Sequence, residues 1–265
     1  TGFERTPHID GGIWIGNRSD RDMTSPGKSR VALSHTIVSS NSISHTPRGI
    51  SVSDTARKTF LLGNIFEQVS TPVLDWGREN NLSQLSESQQ ERVELIQSDV
   101  LDVSTESPDT ISAMNFSYGL FKDRDRLLSS FKSVREALVD VGIMFLDAYG
   151  GYDSFRDIVE EREIEEQGGF TYIWEQERYD PISNGLICHI HFGFPDGSRL
   201  NKAVTYDWRL WTLPEVRELL EEAGFRRVTF YWQGWDDDEE PDGIFKPVTE
   251  GIADAGWICY ITAEK

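Results

Sequence analysis

The chain has 265 residues, with 45 acidic against 26 basic side chains and a formal charge of −19. That length can hold a large α/β core, and that charge argues against nucleic acid or an anionic membrane surface as a generic partner, since either would repel it. Two cysteines, Cys188 and Cys259, cannot build a disulfide framework and fit a reducing compartment, the cytoplasm.

No apolar run approaches the ~18 residues of a membrane-spanning helix, and the start lacks the charged and apolar segments of a secretion signal. The first residue is Thr1 rather than Met, which reads as a fragment, a processed product or a trimmed chain. Residues 1–52 are rich in Ser, Thr, Gly, Arg and His with poor periodicity, so they are expected as a poorly ordered tail. Two stretches in it suit extended structure: Gly12 to Ile15, and Arg30 through Val38. Pro26-Gly27-Lys28-Ser29 resembles the end of a phosphate-binding loop, but Asp22 stands where the earlier glycine belongs. It reads as a turn.

A main domain is expected over residues 53–265. From Ser53 the pattern reads as helical, with Phe60, Leu61, Ile65 and Phe66 on one face. A second helix is expected from Pro72, a residue suited to a first turn. The next block carries the organisation of the chain. Val93 to Gln97 reads as a strand, Thr110 to Phe116 as a second, Asp123 to Asp140 as a helix, and Gly142 to Asp147 as a third strand. Strands alternating with an amphipathic helix give a parallel sheet, and ligands of such sheets sit beyond the carboxyl ends of the strands. Those ends carry Asp99, Asn115 to Tyr118, and Asp147 to Tyr149.

Ser154 to Gln167 reads as an acidic helix with a solvated glutamate face. An aromatic β insertion is expected over about 170–208, turning at Pro195-Asp196-Gly197-Ser198. Thr212 caps a helix with Pro214 and Glu215 in its first turn, and Gly224 stops it. Strands from Arg227 to Trp232 and from Trp257 to Thr262 close the chain as an antiparallel edge hairpin.

Val93 to Val103, Asp109 to Leu120, Gly142 to Gly151 and Trp211 to Phe225, in that order, resemble the class I S-adenosylmethionine-dependent methyltransferases. Leu74 to Asn81 is similar to the helix after the second strand in one soluble subgroup, and the likeness covers about residues 72–265. The resemblance implies an α/β, Rossmann-like, mostly parallel sheet with S-adenosyl-L-methionine as cofactor and a small or medium-sized molecule as methyl acceptor. It implies that Asp99 accepts the adenine amino hydrogen, that the Val100 amide meets a ring nitrogen, and that Asn115, Phe116 and Tyr118 surround the methionine moiety. Asp147 and Tyr149 are the candidates for catalytic residues that orient or deprotonate the acceptor. The bland alternatives are a capping carboxylate at Asp99, a backbone-satisfying amide at Asn115 and turn residues at Asp147 and Tyr149.

The departure from the family is at its first strands. The family's glycine-rich loop is absent: between Arg57 and Gly77 only Gly63 occurs, and no acid is well placed near Val69-Ser70-Thr71. The first strand or strands are therefore expected to be missing or replaced, with Val31 to Val38 the candidate for the vacant central slot. Two readings follow. One is an S-adenosylmethionine-dependent methyltransferase with an impaired cofactor half; the other is a non-catalytic relic of the fold serving as an interaction module. A nucleotide-binding oxidoreductase fails for want of a G-x-G-x-x-G turn. His189 and His191 share one strand face, but no third ligand at metal spacing accompanies them, so no metal site is expected and a hydrogen-bonded pair lining a pocket is favoured. Asp236 to Glu240 lacks the spacing of a calcium loop. Trp174, Trp208, Trp211, Trp232 and Trp235 are core by default, with some available to wall an acceptor pocket.

Overall fold

The computed structural model describes residues 13–15, 36–39, 50–52, 59–62, 77–79, 81–96, 100–101, 103, 107–165, 169–235 and 241–265. Fourteen strands are described: β1 Ile13–Ile15, β2 Thr36–Ser39, β3 Ile50–Val52, β4 Thr59–Leu62, β5 Val93–Ile96, β6 Thr110–Ala113, β7 Ile143–Gly150, β8 Ile158–Ile164, β9 Phe170–Asp180, β10 Gly185–Gly193, β11 Arg199–Arg209, β12 Arg227–Trp235, β13 Pro241–Val248 and β14 Trp257–Glu264. Among the described residues the helices are α1 Glu87–Gln90, α2 Arg124–Ala137 and α3 Leu213–Glu222, together with residues 77–79, the described part of the helix expected from Pro72.

The main sheet has the order β13-β12-β14-β7-β6-β2-β4-β5. From β5 to β7 every pairing is parallel; β14, β12 and β13 add antiparallel strands at one edge. The expected antiparallel close is therefore present, with β14 inserted beside β7 rather than at the rim.

The central slot is filled. β2 lies between β4 and β6, and Ile37 pairs with both Phe60 and Ile111. A strand from within the stretch expected as a tail thus belongs to the main sheet, which crosses the expected boundary at residue 52. Within the helix expected from Ser53, Thr59–Leu62 form β4 instead, while Ile65 and Phe66 lie outside the described residues. Thr59-Phe60-Leu61-Leu62 is a short apolar run, and such a run fits a buried strand and a helix face equally well until pairing decides.

Two helices build the core against this sheet. Asp123 starts α2 by accepting from the amides of Asp125 and Arg126, so orphan donors of the first turn are satisfied. Leu127 and Phe131, one turn apart, are buried to 0 % and 1 % exposure. In α3, Val216, Leu219 and Leu220 are equally hidden and join Met144, Leu146 and Ile261 of the sheet in one cluster. Each such side chain contributes roughly 1.5–3 kcal/mol of burial. Gly224, at φ 98°, turns the chain out of α3 in the left-handed conformation, as its position after the stripe predicts.

After β7 the chain leaves the sheet's carboxyl end and forms a second, antiparallel sheet, β11-β10-β9-β8. The insertion is longer than expected: β8 stands where an acidic helix was read. Ile158, Val159 and Ile164 are β-branched, and among the described residues the strand is paired only with β9. Its glutamates are exposed, which is how natural sheets guard an edge against further pairing. One face of this sheet gathers Leu186, Cys188, Ile190, Tyr206 and Trp208 into a second core, completed by Phe116 and Tyr149 from the main sheet's strand ends. The insertion is fastened to the α/β unit where a Rossmann-like sheet places its ligands.

Candidate functional site

The site begins at the tip of β6. Asn115 and Phe116 are consecutive residues at φ 63° and φ 54°. The left-handed region costs a residue with a side chain roughly 1–2 kcal/mol, and Phe lacks the short polar side chain that eases it for Asn. Asp147, near the end of β7, holds the pair. Its two carboxylate oxygens accept from the backbone amides of Asn115 (2.9 Å) and Phe116 (2.8 Å).

Asp147 is buried, at 8 % exposure. Burial raises its pKa to about 6, against the lowering effect of the two amide bonds. The ionisable groups coupled to it are the phenols of Tyr118 and Tyr260 and the thiol of Cys259.

The strained pair aims two side chains at the insertion. The Asn115 side chain faces the phenol of Tyr206 on β11 and opposes the rise that burial imposes on its pKa. The Phe116 ring sits 5.7 Å from Tyr149 and 5.9 Å from Trp208, edge-on to the indole. Tyr206 and Trp208 stack at 4.2 Å, with Trp174 at 6.0 and 6.5 Å from them. Aromatic pairs at such spacings contribute roughly 0.5–1.5 kcal/mol beyond burial.

A small recess opens among Phe116, Tyr118, Tyr149, Leu186, Trp208 and Arg209. Gly119 lets the short turn Ser117–Leu120 approach the insertion, because a Cβ there would stand 3.2 Å from the Trp208 ring and 3.3 Å from the Arg209 carbonyl. The Arg209 guanidinium lies 3.6 Å over Trp211, donates to the Lys122 carbonyl and pairs with Glu215. Its Nε is buried without a hydrogen-bond partner among the described residues.

Tyr149 donates its hydroxyl to Gln176 Oε1 at 2.5 Å. Gln176, 2 % exposed, is locked in turn by donating to the carbonyls of Asp153 and Arg156. Burial pushes the Tyr149 phenol well up from its ordinary value, so the group keeps its proton at neutral pH. Tyr118 is displaced in the same direction and for the same reason.

Five of the residues expected from the sequence, Asn115, Phe116, Tyr118, Asp147 and Tyr149, thus meet at one place. Asp99 lies outside the described residues. Val100 is on a turn after β5 and 37 % exposed. Trp208 and Trp211 line the recess, whereas Trp232 packs 5.0 Å from Trp257 in the main core. Gln176, Tyr206 and Arg209 were not anticipated; period-two alternation along β9 and β11 puts Gln176, Tyr206 and Trp208 on the inner face and is the one signal that points to them.

On the other face of the insertion, His189 bonds Glu177 (2.7 Å) and Thr205 (2.9 Å), and His191 bonds Glu175 (2.8 Å). The pair is hydrogen-bonded as expected, but it lies on the face away from the recess and does not line it. Among the described residues no group of three or more His, Cys, Asp or Glu is placed to hold a metal ion, and no helix is long and apolar enough to cross a membrane.

Solved structures with the same architecture include S-adenosylmethionine-dependent methyltransferases. The CcbJ methyltransferase from Streptomyces caelestis superposes with a TM-score of 0.59 at 12 % identity, over 88 % of this chain and 84 % of that one. DesVI from Streptomyces venezuelae gives 0.57 at 16 %, over 87 % and 83 %. A structure of CalS10 with S-adenosylmethionine bound, an amino pentose methyltransferase, gives 0.55 at 11 %, over 88 % and 83 %. The chain has the class I S-adenosylmethionine-dependent methyltransferase fold. No protein-family model matches the sequence, and no curated protein does.

Proposed function

We propose that the chain binds S-adenosyl-L-methionine at the carboxyl ends of β2, β5 and β6 and transfers its methyl group to a small or medium-sized acceptor. The observation that supports this best is the aromatic recess between the β6 and β7 tips and the insertion, in a chain that shares the fold of the CcbJ methyltransferase and of CalS10. Asn115, Phe116 and Tyr118 fit the methionine side of the cofactor, since a backbone held in the left-handed region beside an aromatic wall leaves an apolar lining with few competing charges. Asp99 is the proposed adenine acceptor and Val100 the adjacent amide. When bound, the sulfonium supplies an electrophilic methyl for in-line displacement.

What this chain's residues contribute is positioning and removal of water, the two effects on which such a transfer chiefly depends. The insertion sheet closes over the strand ends, and its aromatic face offers an acceptor a dry wall. Tyr149 and Asp147 support that geometry by shaping the site: one has its proton engaged by Gln176, the other has both oxygens engaged by backbone amides.

The second reading, a relic of the fold acting as an interaction module, rests on one specific observation. After β2 the next glycine is Gly49, ten residues beyond Ser39, where the family has its glycine-rich approach to ribose and carboxypropyl groups. Calorimetric titration of the chain with S-adenosylhomocysteine separates the two. Saturable one-to-one binding supports the enzyme, and Asp99→Ala should then weaken it by ~1.5–3 kcal/mol through loss of a charged acceptor. No heat at millimolar ligand would leave the relic standing.

A further inference from the structure

We propose that Asp147 is a positioning residue whose carboxylate clamps the left-handed pair Asn115–Phe116, and that its protonation releases the clamp and loosens the insertion over the site. The functional half of this rests on the methyltransferase reading above; the structural half does not.

The geometry carries the argument. Two adjacent backbone amides converge on the two oxygens of one buried carboxylate, at 2.9 and 2.8 Å. A carboxylate accepts at both oxygens, whereas a carboxylic acid carries a proton on one of them. Two N–H donors then face one good acceptor and one hydroxyl, so one bond is lost. The residues released are the ones held at positive φ, a conformation that persists only where the surroundings over-determine it.

The consequence reaches the insertion, because Phe116 lies between Tyr149 and Trp208 and the Asn115 side chain faces Tyr206. The groups coupled to Asp147 from packed elements are Tyr118 after β6 and Cys259 and Tyr260 on β14. All three are neutral in their protonated forms, so none supplies a counter-cation that would hold the carboxylate ionised in acid. With burial raising its pKa to about 6, the clamp opens just below neutrality.

The test uses the full chain, isotopically labelled, titrated from pH 7.5 to 5.5. In the wild type the amide resonances of Asn115 and Phe116 should move with a midpoint near 6, with the Trp208 indole resonance following the same curve. S-adenosylhomocysteine affinity should fall about fourfold over that range, as the competent fraction falls. In Asp147→Asn, whose side-chain NH2 replaces one acceptor, one of the two amides should already be displaced at pH 7.5. Affinity should be weakened there and change no further with pH. The variant leaves His189 and His191 in place, so a transition common to both proteins is not that of Asp147.

Unmoved wild-type amide resonances, or wild-type resonances and affinity in Asp147→Asn at both pH values, would overturn the clamp. If neither protein binds S-adenosylhomocysteine, the methyltransferase reading fails and the amide titration still decides the clamp. If the variant does not fold, the wild-type titration alone decides it.

Discussion

Asp147 sets the stability of the chain against the order of its site. An ionised carboxylate at 8 % exposure is a standing cost, and its pKa, raised from 3.8 to about 6, measures that cost. The folded state holds the proton more tightly than the unfolded one. Stability therefore rises as pH falls through 6 toward 3.8, and the gain is absent above 6. Between pH 7.5 and 5.0 the wild type should gain about 1.4 kcal/mol relative to Asp147→Asn, which cannot titrate. Urea unfolding of both proteins at the two pH values checks this; a constant difference between them would mean that the folded carboxyl titrates at its ordinary value. Protonation thus stabilises the molecule while loosening the pair that faces the site, a conflict typical of functional positions. The clustering of Asn115, Phe116, Tyr118, Asp147 and Tyr149 was legible in the sequence, because strand ends of a parallel sheet converge. Their roles were not. Nothing in Phe116 announces a positive φ, and a strand-end aspartate facing two amides reads the same as one facing an acceptor.

Among the elements, α3 was the most legible, since capping box, proline, apolar stripe and stop glycine agree. Glu215 does more there than the pattern states. Its Oε2 accepts from the Thr212 amide and hydroxyl at 2.8 Å, while its Oε1 pairs with Arg209. Thr212 in return accepts from the Glu215 amide only at 3.4 Å. Replacing Thr212 by Ala should cost about 1 kcal/mol, as caps do. Glu215→Ala should cost more, roughly 2 kcal/mol, because it also leaves the half-buried Arg209 short of its counter-charge. Equal losses in denaturant unfolding would show that the Arg209 pair adds nothing. β4 and β8 were not legible, and for one reason. A threonine followed by three apolar residues in β4 and an acid-rich segment in β8 carry no period long enough to choose between helix and strand. Their conformation is set by the neighbours they pair with, β2 and β5 in one case and β9 in the other.

At the scale of the whole molecule, β2 decides whether the two halves of the main sheet are one body. Four residues, Thr36 to Ser39, pair on one side with β4 and on the other with β6. Without them, β4 and β5 have no hydrogen-bonded route to the rest of the sheet among the described residues, and two ladders of backbone groups lose their partners together. The tail-like composition around β2 hides this, because a central strand needs only a few apolar residues and its identity comes from register. Two truncations that differ by five residues test the claim. A chain starting at His35 keeps β2 and gives up β1, which among the described residues pairs only with β3. It should unfold cooperatively, with the near-ultraviolet dichroism of the full chain. A chain starting at Ser40 exposes facing edges on β4 and β6, the condition under which sheets pair with one another instead. It should lose the cooperative transition and aggregate at micromolar concentration. The contrast is sharp because α2, α3, the insertion and all the antiparallel strands are present in both. If the chain starting at Ser40 kept the transition and the dichroism of the longer one, β2 would be dispensable, and the link between the two halves of the sheet would have to be sought elsewhere.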